Sequence, residues 1–92
     1  MNPAEITGHF HDLYYSSEVW RSTYWRNTPV LKCPLDLWIY QELISRLTPD
    51  LVIECGTWAD GSSLYIADLL DLNGRGSIVT IDILSAEQVK AR

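Results

Sequence analysis

Glu54, Gly56, Gly61, Ser62 and Asp82 are the residues whose types and spacing could do chemistry. The first four lie in the run Glu54-Cys55-Gly56-Thr57-Trp58-Ala59-Asp60-Gly61-Ser62. Glycine at 56 lets the backbone turn sharply and approach a ligand with no Cβ in the way. Gly61 and Ser62 would open a helix, whose free N–H groups and positive dipole end favour an anionic group. Asp82 follows Gly61 by 21 residues. An acid about 20 residues beyond such a loop is the ribose-hydroxyl partner in dinucleotide folds, and the same geometry serves adenosyl cofactors.

Three ligand classes compete for this pattern. A nicotinamide fingerprint requires Gly-x-Gly-x-x-Gly, and Trp58 stands where the middle glycine must be. A phosphate-binding P-loop requires lysine directly after the second glycine, and Ser62 stands there instead. The remaining pattern, acid-x-Gly-x-x-x-x-Gly, suits S-adenosylmethionine, where no polyphosphate must be neutralised. Another nucleotide, or a glycine turn that binds nothing, stays open on the residues alone.

A strand, a turn and a helix must position these groups. Leu51-Val52-Ile53-Glu54-Cys55 is a short apolar run ending near an acid and reads as a buried strand. A helix is expected from Ser62 to about Leu72, with Leu64, Ala67 or Asp68, and Leu70 or Asp71 divided between its inner and outer faces. Asn73-Gly74-Arg75-Gly76 is a loop, and residues 77–83 form a second β-rich run. Together they make a βαβ unit of the expected size, about 30 residues, with parallel strands. Upstream, Pro34 sits where a first-turn proline is tolerated. Leu37, Tyr40, Ile44 and Leu47 then mark one helical face, ended by Thr48-Pro49-Asp50. Residues 1–33 are aromatic-rich. A helix is expected within Ala4 to Ser16, a second short one over Glu18 to Tyr24, and a turn at Asn27-Thr28-Pro29. The chain thus divides into an aromatic-rich helical cap, 1–33, and the start of a cofactor domain, 34–92. Ser85-Ala86-Glu87-Gln88 has the form of a capping box with only Val89 to Arg92 after it. That start is expected to continue in a longer protein, so the chain reads as truncated before its catalytic half.

Composition narrows the function classes. The chain has 92 residues, 47% of them hydrophobic and 21% charged, which is globular and not disordered composition. Residues 1–46 carry four basic and five acidic groups, and residues 47–92 three and seven. A nucleic-acid partner is not expected, because phosphate contacts call for a basic face. No signal peptide and no membrane-spanning run is visible, so a cytoplasmic location is expected. Cys33 and Cys55 stand far apart and read as two reduced, buried thiols.

From Tyr24 to Ile83 the sequence resembles the cephalosporin hydroxylase-like family, also called the rhamnosyl O-methyltransferase family. The resemblance rests on Tyr24-Trp25, on Lys32-x-Pro34-x-Asp36-Leu37-Trp38-x-Tyr40-Gln41-Glu42, and on Pro49-Asp50-Leu51-Val52-Ile53-Glu54-x-Gly56-Thr57. It continues through Gly61-Ser62 and Gly76-Ser77-Ile78-Val79-Thr80-Ile81-Asp82-Ile83. It implies an α/β fold, with N-terminal helices followed by the first βαβ unit of a Rossmann-like sheet that binds S-adenosylmethionine. It also implies O-methyl transfer to a sugar or small-molecule hydroxyl, as in natural-product tailoring. Glu54 and Gly56 would face the methionine part of the cofactor with Gly61 and Ser62 beside them, Thr57 would also bind the cofactor, and Asp82 would bind the ribose. Carboxylates for a divalent metal such as magnesium, and a general base, would come from later strands, so no catalytic or metal-binding residue is assigned in this chain. The family's glycine pair before the serine is here Asp60-Gly61, which adds a negative charge near the cofactor or caps the helix. Asn27-Thr28 replaces a glycine usual after the tryptophan.

Other candidates have plainer readings. His9 and His11, two apart on a helix, point to different faces and would chelate a metal only on an extended chain. Trp20, Tyr24, Trp25 and Trp38 could stack on an acceptor but are expected to pack the cap onto the sheet. Lys32 and Asp36 can pair around a helix start. Glu54 and Asp82 resemble paired carboxylates, although cofactor binding explains both better. A purely assembling product is the alternative, since two parallel strands leave unpaired edges that seek a homo-oligomeric partner or a missing C-terminal half. A tailoring hydroxylase ranks below both, because the two-His-one-carboxylate iron pattern is not visible.

Overall fold

The computed structural model describes residues 1–56 and 61–83. In chain order they form α1 (Pro3–Ser16), a 3₁₀ turn (Val19–Ser22), β1 (Tyr24–Trp25), β2 (Thr28–Pro29), α2 (Pro34–Leu47), β3 (Leu51–Cys55), α3 (Gly61–Asn73) and β4 (Ser77–Ile81). The architecture is mixed α/β. β3 and β4 pair in parallel from Leu51 opposite Ser77 to Cys55 opposite Ile81. Parallel strands cannot be joined by a tight turn, and α3 supplies the crossover.

Each helix starts and stops for a local reason. Asn2 caps α1 by accepting the Glu5 amide on its side-chain oxygen at 2.9 Å. Pro34 occupies the first turn of α2, where its missing donor costs nothing. Thr48 ends α2 in the left-handed region, φ 43°, and its N–H donates to the Ile44 carbonyl. Gly74, φ 76°, closes α3 in the same way, and the Arg75 amide reaches back to the Leu70 carbonyl.

The core lies where one face of the β3–β4 pair meets α2 and α3. Ile44, Tyr65, Ile66 and Leu70 are buried there, with Trp25, Leu37, Tyr40, Val52 and Ile78 packed around them. Tyr65 donates its hydroxyl hydrogen bond to the Leu37 carbonyl, and Asn73 Nδ2 donates to the Ile44 carbonyl at 3.0 Å. α3 is thus bonded to α2 near both ends. Gly76, φ 98°, lets the chain pass beside the Pro49 carbonyl and the Leu70 side chain, both of which a Cβ would meet at 2.9 Å or less.

Several expectations change. Glu18 to Tyr24 holds only the four-residue 3₁₀ turn, because Tyr24-Trp25 pairs antiparallel with Thr28-Pro29. Arg26 and Asn27 form the two-residue connection, both with positive φ, as a tight hairpin of this hand demands. Leu47, the last residue of α2, is exposed. The strand 51–55 is covered on one face only: Leu51, Ile53, Val79 and Ile81 are each at least half exposed on the other. In α3 the inner face is Ser62, Tyr65, Ile66 and Leu70. Both cysteines are free, but Cys33 is half-buried and Cys55 exposed, so neither is a buried thiol. The aromatics divide: Trp25 enters the core, while Tyr24 and Trp38 stay exposed. The capping-box segment at Ser85 lies outside the described residues. No described helix is long and apolar enough to cross a membrane.

Candidate functional site

Two clefts flank the carboxyl end of β3 and share Cys55. The first, about 460 Å³, is lined by Cys55, Gly56, Ile81, Asp82 and Ile83. The parallel ladder makes it: the Gly56 amide donates to the Ile81 carbonyl at 2.7 Å, which carries the register one step past the strands. That bond brings the bend after β3 level with the end of β4, so that half-buried Asp82 and Gly56 line one opening. Gly56 has φ 87°, where a side chain is strained, and among the described residues no atom lies within 4 Å of where its Cβ would be. The backbone there turns with open space in front of it.

The second cleft has a volume of about 340 Å³. Lys32, Tyr40, Leu43, Ile44, Val52, Ile53, Glu54, Cys55 and Ile66 line it. Glu54 is 9% exposed, and its Oε2 accepts a 2.5 Å hydrogen bond from Ser62 Oγ. Its Oε1 is buried with no hydrogen-bond partner among the described residues. A buried carboxylate oxygen left unpaired is costly, so this one marks a place that a donor would complete. Lys32 holds its ammonium 5.7 Å from the centre of the Tyr40 ring and forms no ion pair among the described residues; the Asp36 pairing expected for it is absent from them.

The candidate residues therefore occupy distinct positions. Glu54 and Ser62 are joined by a hydrogen bond, Gly56 opens the bend after β3, and Asp82, just past the end of β4, lines the same cleft as Gly56. One oxygen of Glu54 is occupied by Ser62. Gly61 has a packing reason of its own. A Cβ there would overlap the Pro29 carbonyl and stand 2.6 Å from Val30 Cγ2, so α3 starts hard against the N-terminal hairpin. Thr57 and Asp60 lie outside the described residues. His9 and His11 are exposed on α1, and the described residues hold no group of three His, Cys, Asp or Glu suited to a metal.

Asp68 is a polar anchor that the sequence pattern did not reveal, beyond its position on α3. Its carboxylate accepts from Trp25 Nε1 at 2.8 Å and from Arg26 at 3.0 Å. The Trp25 hydrogen bond, followed by that of Arg26, holds the Asp68 carboxyl below its usual range. Burial pushes the Tyr65 hydroxyl the other way, above its ordinary value. The Trp25 ring meets Tyr65 edge-on, 4.9 Å between centres, so hairpin and crossover helix share one aromatic and polar joint.

A family model described as "Rhamnosyl O-methyltransferase/CmcI" matches residues 17–92. The chain belongs to that family. A relative named rhamnosyl O-methyltransferase from Mycobacterium leprae is 37% identical over 79 residues, 85% of this chain and 34% of that protein. Relatives of the same name from Mycobacterium bovis and Mycobacterium tuberculosis are 36% identical over 78 residues, 84% of this chain and 32% of theirs. The chain spans about a third of the length of the curated relatives it matches. No solved structure matches the chain. The family match covers the hairpin, α2 and the whole βαβ unit, so both clefts fall inside it.

Proposed function

We propose that the chain forms the cofactor-binding opening of a Rossmann-like, S-adenosylmethionine-dependent O-methyltransferase that acts on a sugar or small-molecule hydroxyl. One observation carries this reading: the parallel pairing of 51–55 with 77–81 sets Gly56 and Asp82 around one cleft at the strands' carboxyl ends. Open α/β sheets bind ligands at that end. The residues suit the group. Gly56 leaves open space, Asp82 offers a carboxylate for ribose hydroxyls, and Glu54 carries a buried oxygen in want of a donor. Membership of the rhamnosyl O-methyltransferase/CmcI family supports methyl transfer and a glycosyl acceptor.

The cofactor supplies an electrophilic methyl group on a sulfonium, ready for an acceptor oxygen. The chain's own contribution is to bind and orient. Ser62 fixes the rotamer of Glu54, and the ladder bond from Gly56 fixes the bend against β4. Rate then comes from positioning, which can be worth about 7–11 kcal/mol in well-oriented reactions. Calorimetry with S-adenosylhomocysteine tests the assignment. Gly56→Val and Asp82→Ala are each expected to weaken binding at least about tenfold, or about 1.4 kcal/mol. Unchanged affinity in both variants removes the assignment.

A second reading, assembly with another polypeptide, is favoured by the open face of Leu51, Ile53, Val79 and Ile81. Sedimentation of the chain separates the two: a monomer that binds the cofactor analogue excludes a purely assembling role.

A further inference from the structure

Tyr24 and Trp38 take no part in the core or in either cleft beside β3. They are 61% and 65% exposed, and both line a third cleft of about 350 Å³ together with Trp25, Pro34, Leu37 and Tyr65. That volume falls among small-molecule sites, which span about 300–1,000 Å³. None of the described residues lining it carries a charge. Its place in the fold is the cofactor end. Val30, also in its wall, abuts Gly61 at the start of α3, and Tyr65 stands about one turn further along that helix. Ser62 at the same start is bonded to Glu54 near the carboxyl end of β3.

The rings are held before any ligand arrives. Trp38 Nε1 donates to Glu42 Oε1, one turn along α2, at 3.0 Å, and Trp25 Nε1 donates to Asp68 at 2.8 Å. Each indole thus has its one polar atom satisfied and offers ring surface alone. Rings fixed in advance lower the ordering cost of binding. The other polar groups of the wall are spent as well: Thr23 Oγ1 donates to the Val30 carbonyl and the Tyr65 hydroxyl to the Leu37 carbonyl. These features select the chemistry of the occupant. A phosphate or carboxylate would leave water with no charged partner in the cleft. A wholly apolar group would keep its outer side in water, because the two rings themselves stand more than half exposed. A pyranose fits both conditions. Its axial C–H bonds make an apolar face whose slightly positive hydrogens meet the negative face of an aromatic ring, while its hydroxyls stay hydrated.

We propose that Tyr24 and Trp38 form a stacking platform for a neutral sugar ring of the acceptor. The inference rests on the methyl-transfer reading and adds to it two specificity-determining residues, outside the glycine loop and both strands of the βαβ unit. NMR titration of the chain tests it, following the Trp38 indole N–H signal. The probes are the methyl glycosides of glucose, mannose, fucose and rhamnose, with methyl glucuronide as the charged control and cyclohexanol as the apolar one. At least one neutral glycoside is expected to bind with a Kd of about 1–10 mM, and both controls more weakly. Trp38→Ala and Tyr24→Ala, shown folded by thermal melts, should each weaken that glycoside about fivefold, read from the remaining shifted signals, while Trp38→Phe keeps most of the affinity. The platform is overturned if no neutral glycoside moves the Trp38 signal, if both alanine variants bind as the unmodified chain does, or if cyclohexanol binds as tightly as the glycosides. Calorimetry with S-adenosylhomocysteine on the same samples keeps the two readings apart. Cofactor binding beside an unresponsive Trp38 removes the platform alone, whereas glycoside binding without cofactor binding removes the acceptor role along with the methyl-transfer reading.

Discussion

Asp68 shows how one side chain can join segments remote in sequence. It gathers an indole N–H and a guanidinium from the hairpin tip onto the outer side of α3, across more than forty residues of chain. Arg26 reaches it from a left-handed backbone position, φ 48°, so the hairpin's geometry aims the guanidinium. Because the hydrogen bonds favour the charged carboxylate, the folded state holds the Asp68 proton less tightly than the unfolded chain does. Its stabilising effect is therefore full above the ordinary carboxyl value of 3.8 and is lost as pH falls through the depressed folded value. Asp68→Asn is expected to melt several degrees lower than the unmodified chain at pH 7. The gap should close below about pH 3.8, and a gap independent of pH would assign the effect to shape instead of charge.

At the scale of elements, the junction between α3 and the hairpin is the most constrained. Gly61→Ala drives a methyl group into the Pro29 carbonyl and Val30, which is itself only 2% exposed. Overpacking of this kind costs about 1–3 kcal/mol, read as a lowered midpoint in urea. A neutral Gly61→Ala would show that the helix start has room to shift. This junction also shows what the sequence could and could not reveal. The βαβ unit was legible because strand, glycine turn, helix and strand each carry a local signal: the apolar runs at 51–55 and 77–81, the glycines, and the Gly74 stop. Gly61 was legible as a glycine but not as a packing glycine, because its neighbour Pro29 lies 32 residues earlier. The hairpin was missed for a related reason. Its strands have two residues each, too short for a period, and its turn uses Arg26 and Asn27 where a glycine is the usual sign. Lys32 likewise lines a cleft with Glu54, 22 residues further on, a proximity that no spacing in the chain encodes.

Over the whole molecule, burial is one-sided. α2 and α3 cover one face of β3 and β4, leaving Leu51, Ile53, Val79 and Ile81 as a contiguous apolar surface. Such a surface draws partners or hydrophobic probes. The 92-residue chain is expected to enhance the emission of an anilinonaphthalene dye. Ile53→Thr with Val79→Thr should cut that enhancement several-fold, while changing stability within about 0.5 kcal/mol per exposed site. Full enhancement in the double variant would place the dye elsewhere, in one of the clefts. The alternation that exposes these four residues also places Glu54 on the covered side, one position from the open face. A one-residue slip of β3 would expel the carboxylate and bury Ile53, so the same register that fixes the core fixes the site.

The tight seat of Gly61 on Pro29 has a dynamic corollary. Gly56 is tied to the β4 ladder, and α3 begins with a residue that has no clearance from the hairpin backbone. A shift of the α3 start toward the hairpin must move Pro29 and, through the strand pairing, Trp25 and its joint with Tyr65 and Asp68. Amide exchange at the hairpin is therefore expected to report movement of the α3 start.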